Sequence, residues 1–280
     1  MKPFEKVFLY TALSAGMLSA ATPSAHAEPL TVNYTMALAG LPIGSATLVL
    51  TPNGSSTSVA LAGKAGGPFD LGRMNASALV GTDQITAQSQ SGSGKNTSTA
   101  TLVSRGPSGS SNFSYVGQNN RGNGNIAMTL KGGQAVNVEV SVPDNPQAVR
   151  APITAAHKSG VVDPLSVLGQ LIQPGGTMKP QALCGKNYAV FTGQARFNLS
   201  GTAAQSSAIN GLPEGWSALA CRITYMPLGG HRIDKKSSAA ESRTATVVFA
   251  QSPDTKQSVL WSMSVPGSFG SFSLTASALK

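Results

Sequence analysis

His157 and His231 are the imidazoles that follow the first 27 residues of this chain, and imidazole is the side chain best suited to acid–base work near neutral pH. His231 stands close to Asp234, and Asp163 is the other carboxylate that a hydrolytic reading would pair with it. Such a site would be assembled from dispersed residues, because no local signature supports it. There is no G-x-S-x-G elbow to expose a nucleophilic serine. Ser91-Gly92-Ser93-Gly94-Lys95-Asn96 falls short of a phosphate loop: Ser89 occupies the first glycine position and Asn96 replaces the hydroxyl that would hold magnesium. Gly122-x-Gly124-x-x-Ala127 mimics a dinucleotide fingerprint without strand–turn–helix context. Two cysteines and two distant histidines do not make a zinc site, which takes about four ligands, and no D-x-D run suggests calcium. The motifs therefore ask for no cofactor and no metal.

Cys184 and Cys221 are the two cysteines of the chain. They lack the C-x-x-C spacing of a redox pair. In an exported protein such a pair forms a structural disulfide. Export is what the N-terminus predicts. Lys2 and Lys6 form a basic region, Val7 to Ala21 an apolar stretch short for a spanning helix, and Ala25-His26-Ala27 a cleavage site before Glu28. Residues 1–27 thus read as a cleaved signal peptide, residues 28–280 as a single β-rich domain, and the periplasm as its location. No cysteine follows the cut, which argues against a lipoprotein.

The net formal charge is +9, yet charged residues make up only 11% of the chain. The basic residues are scattered, and the expected compartment excludes nucleic acid as a partner. Arg222, Arg232, Lys235, Lys236 and Arg243 concentrate after Cys221 and read either as an anion-binding loop or as a solvated one.

The elements that must carry these residues are strands. Apolar and polar residues alternate along Val32, Tyr34, Met36 and Leu38, again along Ala46, Leu48 and Leu50, and at short intervals to the C-terminus. Turn signals such as Gly40 and Pro52-Asn53-Gly54 separate the runs. About fourteen such segments predict a barrel or sandwich. The Ser- and Gly-rich stretches 91–98, 105–112 and 117–125 read as long hairpin loops. One segment breaks the rhythm: Leu165, Leu168, Leu171 and Ile172 have helical spacing behind an Asp163 N-cap and Pro164. A short helix over 163–172 is expected either to serve as a plug or lid over the open end of a curved sheet or merely to connect.

Around these residues the chain resembles a bacterial family, the domain of unknown function 3108 family. Val161-Val162-Asp163-Pro164-Leu165-Ser166 is similar to its helix start. Cys184 followed by Val190-Phe191-Thr192-Gly193-Gln194-Ala195-Arg196-Phe197-Asn198-Leu199 is similar to its cysteine-led strand pair. Cys221-Arg222-Ile223-Thr224-Tyr225-Met226-Pro227-Leu228-Gly229-Gly230-His231 is similar to its second cysteine strand and turn, and Tyr34 with Gly40–Gly44 fits its opening hairpin. Thr192, Gln194 and Asn198 depart from the pattern, which carries Asp, Arg and Asp there. The resemblance implies an all-β periplasmic protein built as a long curled antiparallel sheet, a β-spiral or half-open barrel, with no enzyme activity. It marks Asp163, Pro164, Phe191, Gly193, Arg196, Tyr225, Pro227, Gly230 and His231 as structural motif positions.

The leading functional expectation is a non-enzymatic protein of cell-envelope integrity that binds a lipid, another hydrophobic small molecule or an envelope protein. An envelope glycan- or lipid-modifying hydrolase using His231, and an outer-membrane β-barrel, are the alternatives.

Overall fold

The computed structural model describes residues 28–65, 72–93, 96–107, 109–119, 122–141, 149–173, 177–204, 211–233, 242–254, 256–267 and 270–279. The predicted signal peptide, Asp234, Lys235 and Lys236 lie outside them. A first antiparallel meander runs through β1 (Leu30–Leu38), β2 (Leu41–Asn53), β3 (Ser56–Ala65), β4 (Gly72–Val80), β5 (Gln84–Ser93), β6 (Asn96–Arg105), β7 (Asn112–Asn119), β8 (Gly122–Lys131) and β9 (Gln134–Ser141). Then come α1 (Pro164–Leu171) and the two-residue strands β10 (Ile172–Gln173) and β11 (Thr177–Met178). A second meander follows: β12 (Asn187–Phe191), β13 (Arg196–Ala204), β14 (Ser217–Gly229), β15 (Arg243–Gln251), β16 (Ser258–Val265) and β17 (Phe272–Leu279). β17 pairs with β1, so the two meanders merge into one 15-stranded sheet ordered from β12 through β17 and β1 to β9.

The alternation read from the sequence is the reason for this sheet. Val32 pairs with Leu48 and Tyr34 with Ala46, and all four are buried on the concave face. The hairpin between them turns through Ala39 and Gly40, both at positive φ, the geometry of a two-residue turn. The sheet curls until it is nearly closed into a barrel, apolar inside. Outward positions of the central strands are mostly small and polar, among them Asn75, Ser77, Gln88, Thr101, Ser114 and Asn125.

Two expectations are corrected. The stretches 91–98 and 117–125 are not long loops: β5 continues to Ser93, β6 begins at Asn96, β7 reaches Asn119 and β8 begins at Gly122. Ladder pairing on both sides holds these weak strand formers extended, so tertiary context overrides propensity. The stretch 105–112 does contain a turn between β6 and β7. The helix ends at Leu171, and Ile172, expected within it, instead pairs with Met178 in the two-stranded β10–β11 sheet.

Along β3 to β8 the concave face is built in layers that pairing fixes. Thr57, Val80, Ile85, Ser104, Phe113 and Met128 lie side by side and are buried. One layer on, Val59, Ala78, Ala87, Leu102 and Tyr115 are half-buried beside a buried Ile126. The third layer is Leu61, Ala76, Ser89, Ala100, Gly117 and Gly124. In the fourth, Met74, Ser91 and Ser98 are exposed. The curl is therefore filled at one end and opens toward the other.

Candidate functional site

The filling is made by residues 161–173 and 177–184. Asp163 is fully buried and caps α1, its Oδ1 accepting from the Ser166 amide at 2.9 Å. Its Oδ2 accepts from three hydroxyls: Ser166 at 2.6 Å, Ser111 at 2.7 Å and Ser104 at 3.1 Å. Ser104 belongs to β6 and Ser111 precedes β7, so one carboxylate binds the helix start to the sheet wall. Four hydrogen bonds are what a buried carboxylate needs to offset its lost hydration. Leu165, Leu168, Leu171 and Ile172 then pack with Val80, Ile85, Phe113 and Leu130, while Val167 packs with Tyr188 and Val190. Of the two expected roles for the helix, the plug is the one observed, and it sits within the curl.

Met178, Leu183 and Cys184 continue the plug onto the concave side of β14 to β17. Cys184 forms a disulfide with Cys221, which is fully buried on β14, with Cα atoms 5.5 Å apart. Beside it the Leu183 carbonyl lies against Gly201, where any Cβ would collide with it. The plug is thus held by a carboxylate at its start and a covalent bond at its end.

The two ends of the sheet do not pair; they meet along a seam. The Val161 amide donates to the Gly133 carbonyl beside β9, and the Val162 amide to the Ala189 carbonyl on β12. The Phe191 amide returns a bond to the Val162 carbonyl at 3.0 Å. Phe191 is fully buried among Phe113, Met128 and Leu130, and the hairpin after it turns at Gly193, φ +89°, whose Cα faces Ile126 and Val138 of the opposite end. Residues 149–151 line the same seam by pairing with residues 230–233. His157 and Ile153 close against Gly229, and Gly230, φ +72°, presses against the Gln194 carbonyl.

Most of the predicted motif positions therefore converge. Phe191, Gly193, Arg196, Gly230 and His231 lie where the β12–β13 hairpin meets the end of β14, and Asp163 with Pro164 begins the plug one residue beyond the seam. Tyr225, on β14, stacks in a tilted pair with Phe197, ring centroids 5.0 Å apart. Burial raises the pKa of Tyr225, and nearby Arg243 opposes the shift. Pro227 faces Phe197 at the register shift between Arg196 and Phe197.

Arg196 is buried, and burial lowers the pKa of its guanidinium. Its Nη1 donates to the Phe197 carbonyl at 2.5 Å and to Asn198 Oδ1 at 2.8 Å, while Nε has no partner. Both acceptors are neutral. His231 Nδ1 is likewise buried without a partner. His231 is not among the donors to Asp163, whose bonds come from the three serines.

The predicted anion-binding residues are not one loop. Arg222 and Arg243 are exposed strand residues on β14 and β15, Arg232 is half-buried and bridges to Arg150, and Lys235 and Lys236 are outside the described residues. Among the described residues no three of His, Cys, Asp and Glu are grouped to hold a metal ion, and no helix is long and apolar enough to cross a membrane. Sequence reasoning missed Ser104, Ser111 and Arg150. The only local signal was Ser166, three residues after the Asp163 cap.

No family model matches the chain, and neither a curated protein nor a solved structure resembles it closely enough to count as a match.

Proposed function

We propose that this is a non-enzymatic periplasmic protein of the cell envelope, related to the domain of unknown function 3108 family, that holds a hydrophobic ligand such as an acyl chain in the open end of its curl. The observation that carries the reading is the layered concave face. Its third layer offers a floor of small side chains, Ala76, Ser89 and Ala100, next to Leu61, Leu102 and Tyr115. Met74 stands 43% exposed at the rim. A concave, largely apolar floor with a few hydroxyls is the usual form of a small-molecule site. The disulfide supports an oxidising compartment, and a plug fixed at both ends supports a scaffold.

A hydrophobic ligand is favoured over a protein segment added to the free edge at β9. That edge bulges at Asn137, φ +50°, and carries Glu139, both features that discourage strand addition. An apolar interior with a polar exterior is the reverse of an outer-membrane barrel. The engagement of Asp163 by serines weighs against a hydrolase using His231 and Asp163.

The test is native mass spectrometry of protein taken from the periplasm, with fatty-acid titration of the delipidated protein. A lipid-mass adduct and saturable binding are expected. Ala100→Trp, which fills the floor, should weaken binding about tenfold, the effect of losing roughly 1.4 kcal/mol. Protein that carries no lipid and binds no fatty acid would end the proposal.

A further inference from the structure

We infer that the outer face of the sheet carries a site of its own, a hollow across β2 to β5 that takes a segment of an uncharged glycan chain. The hollow measures about 420 Å³, within the size range of small-molecule sites. Strand pairing sets its lining in two rows on outward positions. Val49, Ala60, Ser77 and Gln88 lie side by side in one row, and Ser58 faces Leu79 in the next. Val49, Ala60 and Leu79 form an aliphatic bed. Ser58, Ser77 and Gln88 rim it, and among the described residues none of these three side chains bonds to another protein group.

That lining selects the occupant. A hydroxyl both donates and accepts, and a primary amide sets two donors beside an acceptor. A pyranose ring is built to match, with apolar C–H faces and a rim of hydroxyls that also donate and accept. An acyl chain would leave the rim unused, and an anion would meet no cation. A face meant only for solvent carries a mixture of Lys, Arg, Asp and Glu. Among the described outward positions of β2 to β5 the charged residues are Lys64 and Arg73, which face each other four residues beyond Ala60 and Ser77. The neutral surface continues past the hollow: Thr101 extends the first row, and Asn75, Gln90 and Thr99 make the row beside it. A linear chain therefore finds more amides and hydroxyls as it crosses the strands. The inference concerns the outside of the curl and does not rest on a ligand inside it.

Calorimetric titration of the full chain with a soluble β-1,4-linked N-acetylglucosamine oligosaccharide tests it. Saturable binding is expected, and it should hold from low salt to about 1 M, because no ion pair is there to be screened. The double variant Ser58→Ala, Gln88→Ala should bind about tenfold more weakly, and Ala60→Arg, which fills the hollow, should not bind. Both should keep the wild-type thermal midpoint, as substitutions at exposed sites do. Absence of binding, binding that salt weakens, or undiminished binding by either variant would each overturn the inference. So would a dimer in light scattering that Ala60→Arg breaks, since the face would then belong to a second copy.

Discussion

Ser111 Oγ donates to Asp163 Oδ2 at 2.7 Å across 52 residues of sequence, and this bond joins the wall of the curl to the plug inside it. Asp163→Ala would leave the hydroxyls of Ser104, Ser111 and Ser166 buried and remove the helix cap. The expected loss is about 3 kcal/mol or more, against about 1 kcal/mol for Ser111→Ala, which removes one donor and leaves the carboxylate three. Urea midpoints at constant slope would measure both. Equal small losses for the two variants would mean that the carboxylate does not organise the plug.

The covalent end of the plug has its own signature. The bond between Cys184 and Cys221 closes a loop of 37 residues in sequence separation, worth roughly 3–4 kcal/mol in the chain-entropy model. Reduction, or Cys184→Ala with Cys221→Ala, should lower the thermal midpoint. It should also raise amide exchange first in β11 and the residues up to Leu183, because without the disulfide they are held only by packing and a few hydrogen bonds, such as Lys179 N to Leu171 O and Tyr188 Oη to Ala182 O. Uniform loss of protection across the sheet would contradict a local tether.

Much of this was legible beforehand, for reasons specific to each residue. Asp163-Pro164 announces a helix because a cap and a first-turn proline act locally, and Val32 to Leu38 announces a strand because alternation is local too. The paired cysteines follow from their chemistry, two thiols without C-x-x-C spacing in a chain expected to be exported. The strands that run through Ser93, Asn96 and Gly122 were not legible, since their extended form comes from neighbours on both sides and not from their own propensity. The same holds for the seam. Nothing near Gly193 says that Ile126 will face it, and nothing near Ser104 or Ser111 says that a carboxylate from the plug will arrive.

Arg196 gives a test of the seam. Its charge is buried among neutral acceptors, Phe197 O and Asn198 Oδ1, and burial pulls its pKa down. Asn198→Asp would place a carboxylate 2.8 Å from the guanidinium without changing side-chain shape. A hydrogen bond between charged partners is stronger than one to a neutral acceptor, so a gain of about 1 kcal/mol is expected at neutral pH. The gain should vanish as the new carboxylate is protonated below about pH 4. Comparing urea midpoints of the variant and wild type at both pH values checks the sign. A variant that is less stable at neutral pH would mean that burying the second charge costs more than the pair returns.

Tyr34 is expected to make the fold sensitive to alkaline pH. It is almost fully buried, its hydroxyl donates to the Leu260 carbonyl at 2.8 Å, and burial raises its pKa well above the ordinary tyrosine value. Below pH about 10 both the folded and the unfolded chain keep the phenol proton, and this group adds no pH dependence. Above that value the unfolded chain releases the proton while the folded chain retains it. The unfolded state then binds fewer protons, and stability falls as pH rises. Tyr34→Phe should lose about 1 kcal/mol at neutral pH with the hydrogen bond to Leu260, yet decline less steeply above pH about 10. Thermal midpoints of the two proteins from neutral to alkaline pH would converge if this is right. Parallel declines would place the alkaline limit in other groups, with Tyr188, whose pKa burial also raises, the next to replace.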